Sequence, residues 1–144
     1  MTSPLRGRNV IVSEFNTTIR ELITKLEKKS RSEIEIANLD RLRKRISLLK
    51  QTQGDSVLIV ECTPFMLEYR EQILNRDEVF FNTMDVRGAY LKKKKTVDKQ
   101  DEFIFDLTDT IRTQYNKASQ AEKDDVYNKI KTLFNDCIEY KLAV

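Results

Sequence analysis

The chain has 144 residues, the size of one domain, with 40% hydrophobic and 34% charged residues and a net charge of +3. It is too apolar for a disordered chain and too charged for a membrane protein. It has no histidine and no tryptophan, which removes Ser-His-Asp and Cys-His catalysis and His-ligated zinc.

Gly7, Gly54 and Gly88 lie too far apart for a phosphate-cradling turn. The N-terminal residues, Met1 to Arg6, lack the apolar stretch of a signal peptide, and the longest apolar run, Val57 to Val60, is far too short to span a bilayer. Only two cysteines occur, Cys62 and Cys137, both in apolar surroundings. They read as small buried hydrophobes in a reducing, intracellular setting.

In chain order, Phe15, Ile19, Leu22 and Leu26 step by helical spacing, as do Leu39, Leu42, Ile46 and Leu49. Both are narrow, heptad-like seams. A short link at Arg31-Ser32 predicts an antiparallel hairpin, closed by Gly54 as a helix stop with Asp55 or Ser56 as the next N-cap. Val57 to Glu61 is strand-like by local propensity, but no second strand lies nearby to pair with it, so a short helix is expected. Thr63 then reads as an N-cap with Pro64 at the first position of a new helix, carrying Phe65, Tyr69 and Ile73 and ending near Asn75.

A short turn from Asp77 to Asn82 follows, holding Val79, Phe80 and Phe81, and then a segment from Met84 to Lys95. The polar stretch from Thr96 to Gln100 is the best linker candidate. Ile104, Leu107, Ile111 and Tyr115 mark one C-terminal helix, and Val126, Ile130, Leu133 and Cys137 mark the other. Ser119 and Glu122 form a capping box before the second.

Charge is banded: residues 1–55 hold 12 basic and 7 acidic groups, and residues 91–100 hold 5 and 1. Arg41, Arg43, Lys44 and Arg45 flank the second seam, and Lys92, Lys93, Lys94 and Lys95 follow Tyr90. These are candidate phosphate contacts, although a solvated face is the favoured reading and no groove-reading motif accompanies them. The acidic groups lack the alternating spacing and glycine of a calcium loop. No catalytic residue, metal site, cofactor or small-molecule ligand is expected.

The most informative stretch is residues 64–81, an amphipathic helix that stops, then an acidic pair, then two aromatics. Tyr69, Ile73, Asp77, Glu78, Phe80 and Phe81 are read as a structural corner or a partner-binding patch. This stretch resembles a pattern in small uncharacterised proteins of giant nucleocytoplasmic large DNA viruses, where a Tyr-x-x-x-Ile step runs into Asp-Glu and then Phe-Phe. The resemblance implies a viral setting, in the virion or the infected-cell cytoplasm, and attaches no activity.

The fold expected is all-α, a single irregular bundle of about six helices with an N-terminal antiparallel hairpin and a C-terminal helix pair. The function expected is non-catalytic interaction or assembly with a protein partner or a second copy. The alternative is a nucleic-acid-associated accessory factor using the basic helical surfaces.

Overall fold

The computed structural model describes residues 6–29, 32–93 and 99–143. Among the described residues there are eight α-helices and no strand. They are α1 (Arg8–Lys29), α2 (Glu33–Gln53), α3 (Val57–Glu68), α4 (Arg70–Leu74), α5 (Glu78–Thr83), α6 (Val86–Lys93), α7 (Lys99–Lys117) and α8 (Gln120–Leu142). The all-α class is the one the sequence predicts, with eight helices in place of about six.

The expected seams are buried. Phe15, Ile19, Leu22 and Leu26 of α1 and Leu39, Leu42 and Leu49 of α2 all lie in the core, with Ile46 partly buried against it. Their principal neighbours are the C-terminal helices: α1 packs most extensively on α8, and α2 on α7. Cross-links fix both pairs as antiparallel. Lys25 meets Asp125 at 2.6 Å and Glu21 meets Lys129 at 3.0 Å, so position rises on α8 as it falls on α1. Arg45 meets Asp106 at 3.0 Å and Gln114 meets Glu35 at 3.0 Å, which repeats the pattern between α2 and α7.

Within this four-helix frame lies α3, packed against all four long helices. It buries Val57, Leu58, Ile59, Cys62 and Met66, which explains why the middle of the chain is its most apolar stretch. Buried side chains from all eight helices join in one contiguous cluster.

Several local expectations hold. Gly54 ends α2 with φ 92°, a conformation that favours glycine, and its N–H bonds to the Lys50 carbonyl at 2.9 Å. Ser119 and Glu122 form a reciprocal capping box at the start of α8.

One expectation is overturned. Thr63 and Pro64 do not begin a helix; both lie inside α3, and the Thr63 hydroxyl donates to the Ile59 carbonyl at 2.7 Å. Proline's missing N–H leaves the Val60 carbonyl without its helical donor. Burial of Cys62 on one side and Met66 on the other keeps the helix running through it. The chain breaks instead at Tyr69, and α4 restarts at Arg70.

The stretch read as a turn at residues 77–82 is helical from Glu78, because Asp77 caps it by accepting the Phe80 N–H at 3.1 Å. Of the linker candidate, Lys99 and Gln100 already belong to α7, and the rest lies outside the described residues.

Candidate functional site

The motif residues converge on one corner. Phe65, Tyr69, Phe80 and Phe81 form a run of ring contacts, with centroid separations of 5.0, 5.1 and 5.5 Å. Phe81 continues it to Tyr115 at 5.5 Å and to Tyr127 at 6.0 Å. Phe81 and Ile73 are buried, whereas Phe80 is only half-buried, so the paired aromatics are not equivalent anchors.

The acidic pair serves the corner as well. Asp77 is the cap of α5, and Glu78 accepts the Tyr115 hydroxyl at 2.6 Å. Burial and that bond push the Tyr115 phenol up to about 12. Arg76 completes the joint: it meets Asp124 at 2.6 Å and Glu78 at 3.3 Å, and its guanidinium lies 4.8 Å from the Tyr127 ring centroid. Tyr127 in turn donates to the Ile73 carbonyl at 2.8 Å. Ile73, Arg76, Glu78 and Phe81 thus join α4 and α5 to α7 and α8, while Asp77 caps α5 and Tyr69 and Phe80 pack ring against ring.

The basic residues of the second seam are engaged mainly within the molecule. Arg45 and Arg41 approach the buried Asp106 carboxylate at 3.0 and 3.7 Å, where Arg87 joins them at 3.7 Å. Arg43 pairs with Glu27, which holds that carboxyl below its ordinary range. Lys93 pairs with Glu68, and Lys92 and Lys44 are exposed. Lys94 and Lys95 lie outside the described residues. Arg45 is thus turned to Asp106 and Arg43 to Glu27, while Arg41, Lys44, Lys92 and Lys93 keep much of their surface exposed.

A groove runs between α1 and α2. Because each is drawn to its own C-terminal partner, the two meet each other at only a few positions. The space between them is about 510 Å³, floored by Leu58 of α3 and walled by Ile19, Ile23 and Ile46. Arg20, Arg43 and Lys50 stand along its edges, with Asp55 at one end. Ile19 and Ile46 belong to the two apolar seams, whereas Ile23 lies outside them and the floor residue Leu58 is contributed by a helix whose path the sequence does not indicate.

Sequence reasoning also missed a charge cluster at the start of α1. Arg6 bonds Asp136 at 2.8 Å, Glu14 at 2.8 Å and Glu139 at 2.9 Å. Asp136 is 1% exposed, and burial, assisted by a hydrogen bond with Glu14, raises its carboxyl to about 7. Only the spacing of Asp136 and Glu139 on one face of α8 hints at this cluster.

Both cysteines are free and buried, as expected, and burial raises both thiols, Cys62 well above its ordinary value and Cys137 to about 12. Among the described residues, no group of three or more His, Cys, Asp and Glu could hold a metal ion, and no helix is long and apolar enough to cross a membrane. Comparison of the chain with protein-family models, with curated proteins and with solved structures gives no match.

Proposed function

We propose that this protein is a non-catalytic helical interaction protein whose α1–α2 groove receives an amphipathic helix of a partner protein. The groove carries this reading: at its base Ile46 is partly exposed over the buried Ile19, Ile23 and Leu58, and Arg20 and Lys50 stand along its edges. A helix setting an apolar residue on Ile46, with glutamates or aspartates facing Arg20 and Lys50, matches both the floor and the rim. The resemblance over residues 64–81 supports placing that interaction in the virion or the infected-cell cytoplasm of a large DNA virus.

The test uses two designed helical peptides with the same leucine stripe, one flanked by glutamate and one by lysine. Fluorescence anisotropy should show saturable binding of the glutamate-flanked peptide alone. In the R20E/K50E variant the preference should reverse, with circular dichroism confirming an unchanged fold. Equal binding of both peptides, or of neither, overturns the reading. Sedimentation velocity without peptide reports whether a second copy fills the groove instead.

The accessory-factor alternative makes a different demand. Non-specific phosphate attraction fades steeply between about 50 and 200 mM salt. Tight binding of duplex DNA or of RNA that survives physiological salt would displace the interaction reading.

A further inference from the structure

Arg6, just ahead of α1, divides its guanidinium among three carboxylates. Nη1 donates to Glu14 of α1 at 2.8 Å, Nη2 to Asp136 of α8 at 2.8 Å, and Nε to Glu139 of α8 at 2.9 Å. These four side chains fasten the start of α1 to the end of α8. Glu14 and Glu139 are partly exposed, whereas the Asp136 side chain is 1% exposed.

One guanidinium cannot balance three ionised carboxylates. Arg8, the next cation along α1, is turned onto the Tyr140 ring at 4.5 Å. Arg6 reaches only Oδ1 of Asp136, and the buried Oδ2 accepts no hydrogen bond from a described residue. The charged and titratable groups facing Asp136 are Arg6, Glu14 from α1, and Glu139 and the Cys137 thiol on its own helix. From α3, this turn of α8 meets the Cys62 thiol and the Thr63 hydroxyl, which bring no charge. Nearer the start of α8, α4 and α7 meet it through the Tyr127 bond to the Ile73 carbonyl and through apolar side chains beside Ile130 and Leu133. An ionised Asp136 therefore leaves a buried oxygen unpaired beside a second carboxylate, and both features oppose the charge. A proton on Oδ2 relieves both, since Asp136 then donates to Glu14 and keeps Oδ1 for Arg6.

We propose that Arg6, Glu14, Asp136 and Glu139 form a proton-operated clasp, closed by one proton shared between Asp136 and Glu14 and released when that proton leaves. Release parts the first two turns of α1 from α8. Ile11 is the one fully buried side chain between Arg8 and Glu14, so opening there disturbs little of the core. Meanwhile α3 keeps its hold on α8 at Cys62 and Cys137. The α1–α2 groove, whose α1 wall runs from Asn16 to Ile23, takes no part, and failure of either inference leaves the other intact.

The test follows amide hydrogen exchange of the full chain by NMR at pH 6 and pH 8, each rate corrected for intrinsic base catalysis. Asp136 gives up its proton at about 7 in the clasp and at about 4 in water. Opening should therefore become about tenfold more frequent between those two conditions. Protection of residues 11–14 should fall by that factor, while Leu42 and Leu107 keep theirs. Asp136→Asn offers Glu14 an N–H at every pH, and Glu14→Gln offers one to the ionised Asp136. Each variant should abolish the fall. Unchanged wild-type protection, a fall that persists in either variant, or an equal fall at Leu42 and Leu107 overturns the clasp.

Discussion

Arg76 carries two loads of different origin. Its φ of 48° places a non-glycine residue in the left-handed region at the turn from α4 to α5, a conformation that costs roughly 1–2 kcal/mol. Its side chain repays that through Asp124, Glu78 and the Tyr127 ring. Two substitutions separate the loads. Arg76→Ala loses the contacts and keeps the backbone cost, whereas Arg76→Gly loses the contacts and sheds it. The glycine variant should therefore be the more stable of the two, by about 1 kcal/mol in urea denaturation. Equal stabilities would show that the turn relaxes once the guanidinium is gone.

Asp136 makes stability depend on pH in a stated direction. Its folded carboxyl holds a proton up to about 7, raised first by burial and then by Glu14, with Arg6 opposing. In the unfolded chain an aspartate ionises near about 4. Between those values the folded state binds more protons, so this group's contribution to stability falls as pH rises. Glu14 acts oppositely: its carboxyl is lowered by its bond with Asp136, and its contribution is lost only as pH falls through that lower value. Asp136→Asn preserves an oxygen for Arg6 and an N–H for Glu14 without an ionisable group. Its melting temperature should gain on the wild type as pH is raised from 5 to 8. Parallel profiles would mean that Asp136 does not titrate in that window.

At the scale of elements, α3 shows tertiary burial overriding a local rule. Pro64 is exposed yet sits inside a helix, where a proline costs about 3 kcal/mol. Alanine there restores an N–H for the Val60 carbonyl and removes the ring clash. It also frees the unfolded chain, which returns about 0.4–1 kcal/mol of the gain. Pro64→Ala should thus stabilise the protein by about 1–2 kcal/mol in denaturant unfolding, with more helical signal. A loss of stability would mean that α3 needs its proline-shaped path to seat Met66 and Tyr69.

The same element marks the limit of what sequence made legible. Periodicity named the buried faces of α1, α2, α7 and α8, and the Ser119–Glu122 pair and Gly54 named two of their ends. Those signals are local and depend on the chain's own spacing. Periodicity says which face is buried but not what covers it, so the α1–α8 and α2–α7 pairings were not readable. Pro64 looked like a start because its backbone preference is visible in sequence, while the burial that outweighs it is not. Within the motif, the residues were legible as a corner, but the partners of Glu78 and Arg76 come from α7 and α8, more than 35 residues away.

For the whole molecule, the decisive arrangement is a central α3 enclosed by four longer helices. Cys62 lies on its buried face and Cys137 on that of α8, at 1% and 0% exposure. Burial also raises both thiols, so little of either is thiolate in the folded state, and thiolate is the reactive form. Reaching either sulfur requires separating α3 from α8, two of the most extensively packed elements. Opening on that scale is close to global unfolding, since every helix contributes to the same core. Labelling by a thiol reagent should therefore be slow in native buffer, with both cysteines modified at one common rate. That rate should rise with urea along the slope of global unfolding measured by circular dichroism. If one cysteine reacts faster with little urea dependence, α3 or α8 opens locally, and the bundle is not a single cooperative unit.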